Sequence, residues 1–246
     1  MKALVTGMNG TVAPALAHSL SQARHVVIPW DRAVVPIDNP QAIRDFIRGE
    51  QPDWFFHVAT GSAQWAEWVA QVCAEQGIKF LFTSSVSVFS GSQRGPFTVD
   101  HRPEPDDDYG RYKLECEQRV RAAHPEAGVA RLGWQIGTAP GGNQMVDYLD
   151  RTFSAQGRID ASLHWHPACS FLSDTADSLT HIMHTLSAGL YHVDGNPGHN
   201  FYEIVVGLNR LQGERWMVHP SATPVQNNLM VDPRVPVSPI TRRFPI

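Results

Sequence analysis

The chain has little lysine, little cysteine and no long apolar run. Of its 20 basic residues only Lys2, Lys79 and Lys113 are lysines. The three cysteines, Cys73, Cys116 and Cys169, are odd in number and far apart. That excludes a disulfide framework and fits a reducing, cytoplasmic setting. No stretch approaches the length of a membrane span, and Met1 to Gly7 has neither the basic start nor the apolar stretch of a secretory leader. A net charge of -4 and a pI near 6.3 leave no electrostatic footprint for nucleic acid. No internal repeat or low-complexity tract is present, and Pro103 to Asp108 reads as a solvated acidic loop. These absences predict a soluble globular protein with neither a membrane nor a nucleic-acid partner.

What is present is a core. Of the 246 residues, 42% are hydrophobic, enough for one large domain or two small ones. Short apolar runs alternate with segments of helical periodicity. Runs at Lys2–Thr6, His25–Trp30, Trp54–Ala59 and Ile78–Thr83 read as strands. Helices are predicted over Thr11–Leu20, Gln41–Gly49 and from Trp65 to a stop at Gly77. The alternation continues with a helix over Tyr109–Ala123, a strand over Gly128–Ile136, helices over Met145–Phe153 and Asp174–Leu186, and a strand over Gly189–Val193. This is the signature of βαβ units: an α/β fold with a Rossmann-type, doubly wound parallel sheet. Residues 1–136 are expected to form the dinucleotide-binding core. Residues 137–246 would form a small C-terminal substrate-binding part, with about 174–195 returning to the core. From Gly213 onward, frequent prolines predict mostly loop, packed on the rest through Trp216, Met217, Val218, Leu229, Met230 and Val231.

Three local patterns carry chemistry. Gly7-Met8-Asn9-Gly10-Thr11-Val12-Ala13 lies between the first strand and the first helix. Glycines there permit a tight turn and close approach of a pyrophosphate, and the helix N-terminus offers unpaired N–H groups. Asp31 ends the second strand, where a carboxylate binds a ribose hydroxyl and disfavours a 2′-phosphate; Arg32 beside it would accept that phosphate. NAD and NADP therefore both remain open. Tyr109 and Lys113 are four apart at the start of a helix, on one face. The lysine charge is expected to lower the phenol pKa and make it a proton donor. Tyr112, the rival phenol, points elsewhere. Phe82-Thr83-Ser84-Ser85 closes the fourth strand, at the end of the sheet where ligands bind and a hydroxyl meets a carbonyl.

Taken together, Gly-x-x-Gly-x-x-Ala, Phe-Thr-Ser-Ser and Tyr109-x-x-x-Lys113 resemble the extended short-chain dehydrogenase/reductases of the NAD-dependent epimerase/dehydratase superfamily. Gln51-Pro52-Asp53, Tyr109 to Glu117, Arg131-Leu132-Gly133-Trp134 and Gly189 to Val193 are similar to its dTDP-4-dehydrorhamnose reductase-like branch. The resemblance implies hydride transfer between a nicotinamide and a carbonyl or alcohol, on a sugar-nucleotide or related small molecule. It implies Tyr109 as proton donor, Ser85 as the catalytic hydroxyl and Lys113 as the holder of the nicotinamide ribose. It places Asp38 near adenine, and Val58, Ala59, Thr60 and Thr83 against the cofactor beside Gly7, Asn9, Gly10, Thr11 and Val12. It also implies a homodimer through the helices at Trp65–Gln76 and Arg111–Ala123. An epimerase on the same fold and a non-catalytic nucleotide-binding regulator are the alternatives. No metal is expected: His164/His166 and His181/His184 have no carboxylate or cysteine cluster with them.

Overall fold

A computed structural model describes residues 1–137, 143–185 and 187–244. The chain begins β1 (Lys2–Val5), α1 (Val12–Gln22), β2 (Val26–Pro29), α2 (Pro40–Glu50), β3 (Trp54–His57), α3 (Ala63–Gln76), β4 (Lys79–Ser85) and α4 (Asp108–Ala123). It continues β5 (Gly128–Leu132), β6 (Trp134–Ile136), α5 (Met145–Gln156), β7 (Ile159–Ser162), β8 (Trp165–His166), β9 (Cys169–Phe171), α6 (Leu172–Thr185) and β10 (Gly189–Val193). The last elements are α7 (Phe201–Leu211), β11 (Val218–Ser221) and β12 (Gln226–Asn227).

Six strands form one sheet in the order β10-β5-β4-β3-β1-β2, and every pair is parallel. The predicted α/β class is thus the observed one. Because β2 and β3 flank β1 on opposite sides, the chain reverses direction there and opens a crevice beyond the strand ends. One face of the sheet buries Leu4, Phe55, Phe80 and Phe82 against α2, α3 and α4; Trp65, Val69, Val72 and Cys73 of α3 belong to this core. The other face buries Val5, Phe56, Leu81 and Ala130 against α1 and α6. A third apolar cluster draws on residues from Ile136 onward, chiefly α5, α7, β7 and β9, with Trp216, Ile240 and Phe244. Among the described residues no helix is long and apolar enough to cross a membrane.

Most strand boundaries shift by one or two residues from the sequence reading, and two of the differences have a visible cause. The third strand stops at His57 rather than Ala59, because the Thr6 hydroxyl accepts both the Val58 and Ala59 N–H groups at 3.0 Å. The run from Gly128 to Ile136 is two strands. Trp134 donates to the Ala168 carbonyl at 2.7 Å and β6 pairs with β9, away from the main sheet. Leu186, expected at the end of a helical face, lies outside the described residues.

The tail after Gly213 is mostly loop with two short strands, β11 on β7 and β12 on β8. The helix α7 escaped the sequence reading. Its signal is legible: Asn200 and Glu203 form a reciprocal capping box, and Ile204, Val205 and Leu208 form its buried face.

Candidate functional site

The glycine turn follows β1 directly. Gly10 donates to the Gly7 carbonyl at 2.8 Å, and Gly7 has φ of +88°. A Cβ on Gly7 would stand 3.0 Å from the Ala59 nitrogen, so the turn can lie against the end of β3 only with glycine there. Thr11 precedes α1 with helical backbone and makes no side-chain cap. Its hydroxyl instead accepts the Asn143 N–H at 3.0 Å. Among the described residues no side chain caps the first N–H groups of α1, the groups that can meet an anion.

The turn forms one end of a cleft of about 1060 Å³ beyond the carboxyl ends of the strands. Gly7, Asn9, Gly10, Thr11, Val12, Asp31, Arg32, Val58, Ala59, Thr60, Thr83, Ser85, Tyr109 and Lys113 all line it. Asp38 does not. It is exposed, immediately before Asn39, the residue whose side chain caps α2. Asp31 accepts the Ala33 N–H at 2.8 Å. The Arg32 guanidinium donates to the Thr60 carbonyl and lies 5.0 Å over the Trp65 ring.

At the other end, Ser85 closes β4 and caps a short 3-10 turn over Val86–Val88, accepting the Ser87 N–H and donating to the Ser87 hydroxyl, both at 3.1 Å. Asp107 caps α4 through the Gly110 N–H at 2.6 Å. Gly110 itself packs on the preceding turn: a Cβ there would be 2.0 Å from the Ser87 carbonyl oxygen. This close approach sets Tyr109 beside Ser85. One helical turn on, Lys113 is 2% exposed, donates to the Thr83 carbonyl at 2.8 Å and lies 4.9 Å over the Phe82 ring.

Burial pushes the Lys113 ammonium down to about 8, against the opposing pull of Cys116 and Glu117. Burial raises the Tyr109 phenol, opposed by its hydrogen bond with Ser85. The expected direction is thus reversed in the protein alone. Nζ of Lys113 is 5.8 Å from the Tyr109 ring centroid, and desolvation is the largest influence on the phenol. Tyr112 points away, its hydroxyl accepting the Gly61 N–H at 3.0 Å. Beneath the site, burial, Lys113 and Arg32 hold His57 neutral, down to about 3.

Sequence reasoning missed several lining residues, among them Trp30, Ser84, Trp134, Gln135 and Asn143. Gly110 carried a usable signal: a glycine inside the first turn of a helix needs a packing reason. Nothing local marks Gln135 or Asn143, which the fold brings in from β6 and from just before α5.

A doubly wound parallel sheet with a glycine turn at its switch point, and a Tyr-x-x-x-Lys helix across the cleft, defines the Rossmann-type class of α/β proteins. Within that class the chain belongs to the RmlD substrate binding domain family, which matches residues 61–208. It is 31% identical over 115 residues to a dTDP-4-dehydrorhamnose reductase of Mycobacterium tuberculosis, covering 45% of this chain and 38% of that one. It is 26% identical over 199 residues to a dTDP-4-dehydrorhamnose reductase of Mycolicibacterium smegmatis, covering 73% of this chain and 59% of the relative. The matched region thus spans less than two thirds of either relative. The fold is similar to a Bacillus anthracis dTDP-4-dehydrorhamnose reductase solved in complex with NADP, with a TM-score of 0.78, 22% identity, and coverage of 90% of this chain and 85% of that one.

Proposed function

We propose that this protein is an NAD(P)-dependent reductase, taking a nicotinamide dinucleotide in the cleft and reducing the carbonyl of a sugar-nucleotide or related small molecule. The observation that carries the reading is the meeting of Ser85, Tyr109 and Lys113 in the same cleft as the uncapped α1 N-terminus and the Gly7 turn. Family membership and the names of the relatives support it.

The residues fit such a cofactor. The Gly7 turn lets backbone approach a pyrophosphate, and the first N–H groups of α1 favour its charge. Asp31 and Arg32 both line the cleft, where the one would take a ribose hydroxyl and the other a 2′-phosphate. The bound dinucleotide supplies the hydride. Tyr109 donates its phenolic proton to the carbonyl oxygen as carbon accepts the hydride, giving the alcohol. Ser85 turns its hydroxyl from Ser87 to the same oxygen and polarises it. Lys113, still charged near neutral pH, would hold the nicotinamide ribose, and its charge stabilises the phenolate left on Tyr109, which solvent then reprotonates.

The test is a fluorescence titration with NADPH and NADH, followed by turnover of dTDP-4-dehydrorhamnose measured by loss of the reduced-nicotinamide absorbance. Tyr109→Phe should retain cofactor binding and lose turnover about 100-fold or more. Folded protein that saturates with neither dinucleotide would overturn the proposal. Turnover indifferent to Tyr109→Phe would remove the proton-donor role. The preferred dinucleotide decides whether Asp31 or Arg32 dominates.

A further inference from the structure

Among the described residues lining the cleft, two carry a buried polar atom with no hydrogen-bond partner: Ser84 through Oγ and Gln135 through Oε1. The residues are 4% and 6% exposed. They stand on different elements, Ser84 in β4 directly before Ser85, and Gln135 in β6 two residues beyond Gly133. Chemistry fixes which end of the Gln135 amide is unpaired. Its Nε2 donates to the Gly133 carbonyl at 2.9 Å, and a carbonyl only accepts, so the oxygen is the end left without a partner. A buried polar group without a partner destabilises the fold. Both residues line the cleft that also holds Ser85, Tyr109 and Lys113, but both atoms are closed to water, so a ligand supplies the missing partners as the two side chains turn toward it.

We infer that Ser84 and Gln135 are specificity-determining residues that read hydroxyl or amino hydrogens on the substrate ring beside the reacting carbonyl. Gln135 Oε1 only accepts, so it selects a ligand O–H or N–H. The Ser84 hydroxyl both donates and accepts, so it tolerates either face of a ring hydroxyl. The pair favours a polyhydroxylated ring over an apolar or aromatic carbonyl compound, whose binding would leave both atoms unpaired. This inference rests on the reductase reading and adds the substrate feature that the site recognises.

The experiment compares wild type, Ser84→Ala and Gln135→Met, each with NADPH present. Two probes are used, dTDP-4-dehydrorhamnose and dTDP, which lacks the sugar. Each substitution should raise KM for the sugar nucleotide about tenfold, the loss of one hydrogen bond, with kcat changed much less. The Kd of dTDP should not move. Ser84→Ala should melt no lower than wild type, because the hydroxyl it deletes makes no bond within the protein. An unchanged KM in an active enzyme overturns the inference and leaves the reductase reading standing. Equal weakening of dTDP also overturns it, since the pair would then not be reading the ring. A lowered melting point in Ser84→Ala does so as well, by placing the hydroxyl's partner inside the fold. Wild type that binds NADPH but neither binds nor reduces the sugar nucleotide overturns this inference alone, whereas folded wild type that binds neither dinucleotide overturns both readings.

Discussion

Lys113 illustrates how one residue is held against its own preference. Its Nζ is buried, has one carbonyl partner in Thr83, and is pushed down to about 8. An unfolded lysine keeps its proton to about 10.4, so the charged form costs folding free energy throughout the neutral range. Lys113→Met should therefore stabilise the protein at pH 7 by about 1–3 kcal/mol while abolishing turnover. The sign follows from proton counts. Between about 8 and 10.4 the unfolded chain holds a proton that the folded chain lacks, so wild-type stability rises with pH there. The gap between wild type and variant should close across that window in denaturant titrations at several pH values. A variant less stable than wild type at pH 7 would mean that the Thr83 bond outweighs desolvation.

At the scale of elements, the critical contact is the end of α4 against the turn after β4. The first turn of α4 presents Gly110 to the Ser87 carbonyl, with no room for a Cβ, and this proximity brings Tyr109 to Ser85. Gly110→Ala has opposing effects. Alanine favours the helix by ~1 kcal/mol, but the contact at 2.0 Å forces α4 or the turn to move. The steric cost wins, because backbone on both sides leaves nothing flexible to yield. Turnover should fall about 100-fold or more from misplacement alone, with dinucleotide affinity nearly retained because the Gly7 turn is remote. Kinetics alongside a dinucleotide titration checks this; equal loss of both would point to global disruption.

At the scale of the whole molecule, the sheet encloses groups that cannot follow solvent pH. Burial and neighbouring cations hold His57 down to about 3 and His192 down to about 4. Both titrate near 6.5 in the unfolded chain, so on acidification from about 6.5 to 4 that chain gains two protons the folded protein refuses. Asp194 opposes them. Burial raises it to about 7, so the folded state takes one proton that the unfolded chain does not hold until near 4. Two against one leaves a net loss of stability as pH falls through this window. Thermal midpoints should drop steadily from pH 6.5 to 4.5. A flat profile would mean that Asp194 cancels both histidines.

The strands and helices of the main sheet, β1 to β5 with α1 to α4, α6 and β10, were legible along the chain, because burial on both faces imposes short apolar runs and helical periodicity on a parallel α/β sheet. The helix α7 and the short strands after β5 were not. The sequence by itself also placed the glycine turn, Ser85, Tyr109 and Lys113 at the element ends where chemistry gathers, since those signals are local. Tertiary structure decided the rest. It set Asp38 outside the cleft, ended β3 two residues early through the Thr6 hydroxyl, and turned the chain at Gly133 out of the main sheet into β6. It also reversed the expected shift of the Tyr109 phenol, because desolvation depends on what packs around a group rather than on what lies four residues away. Ser84 and Gln135 became notable only in three dimensions, since the absence of a hydrogen-bond partner is a property of surroundings that no spacing along the chain records.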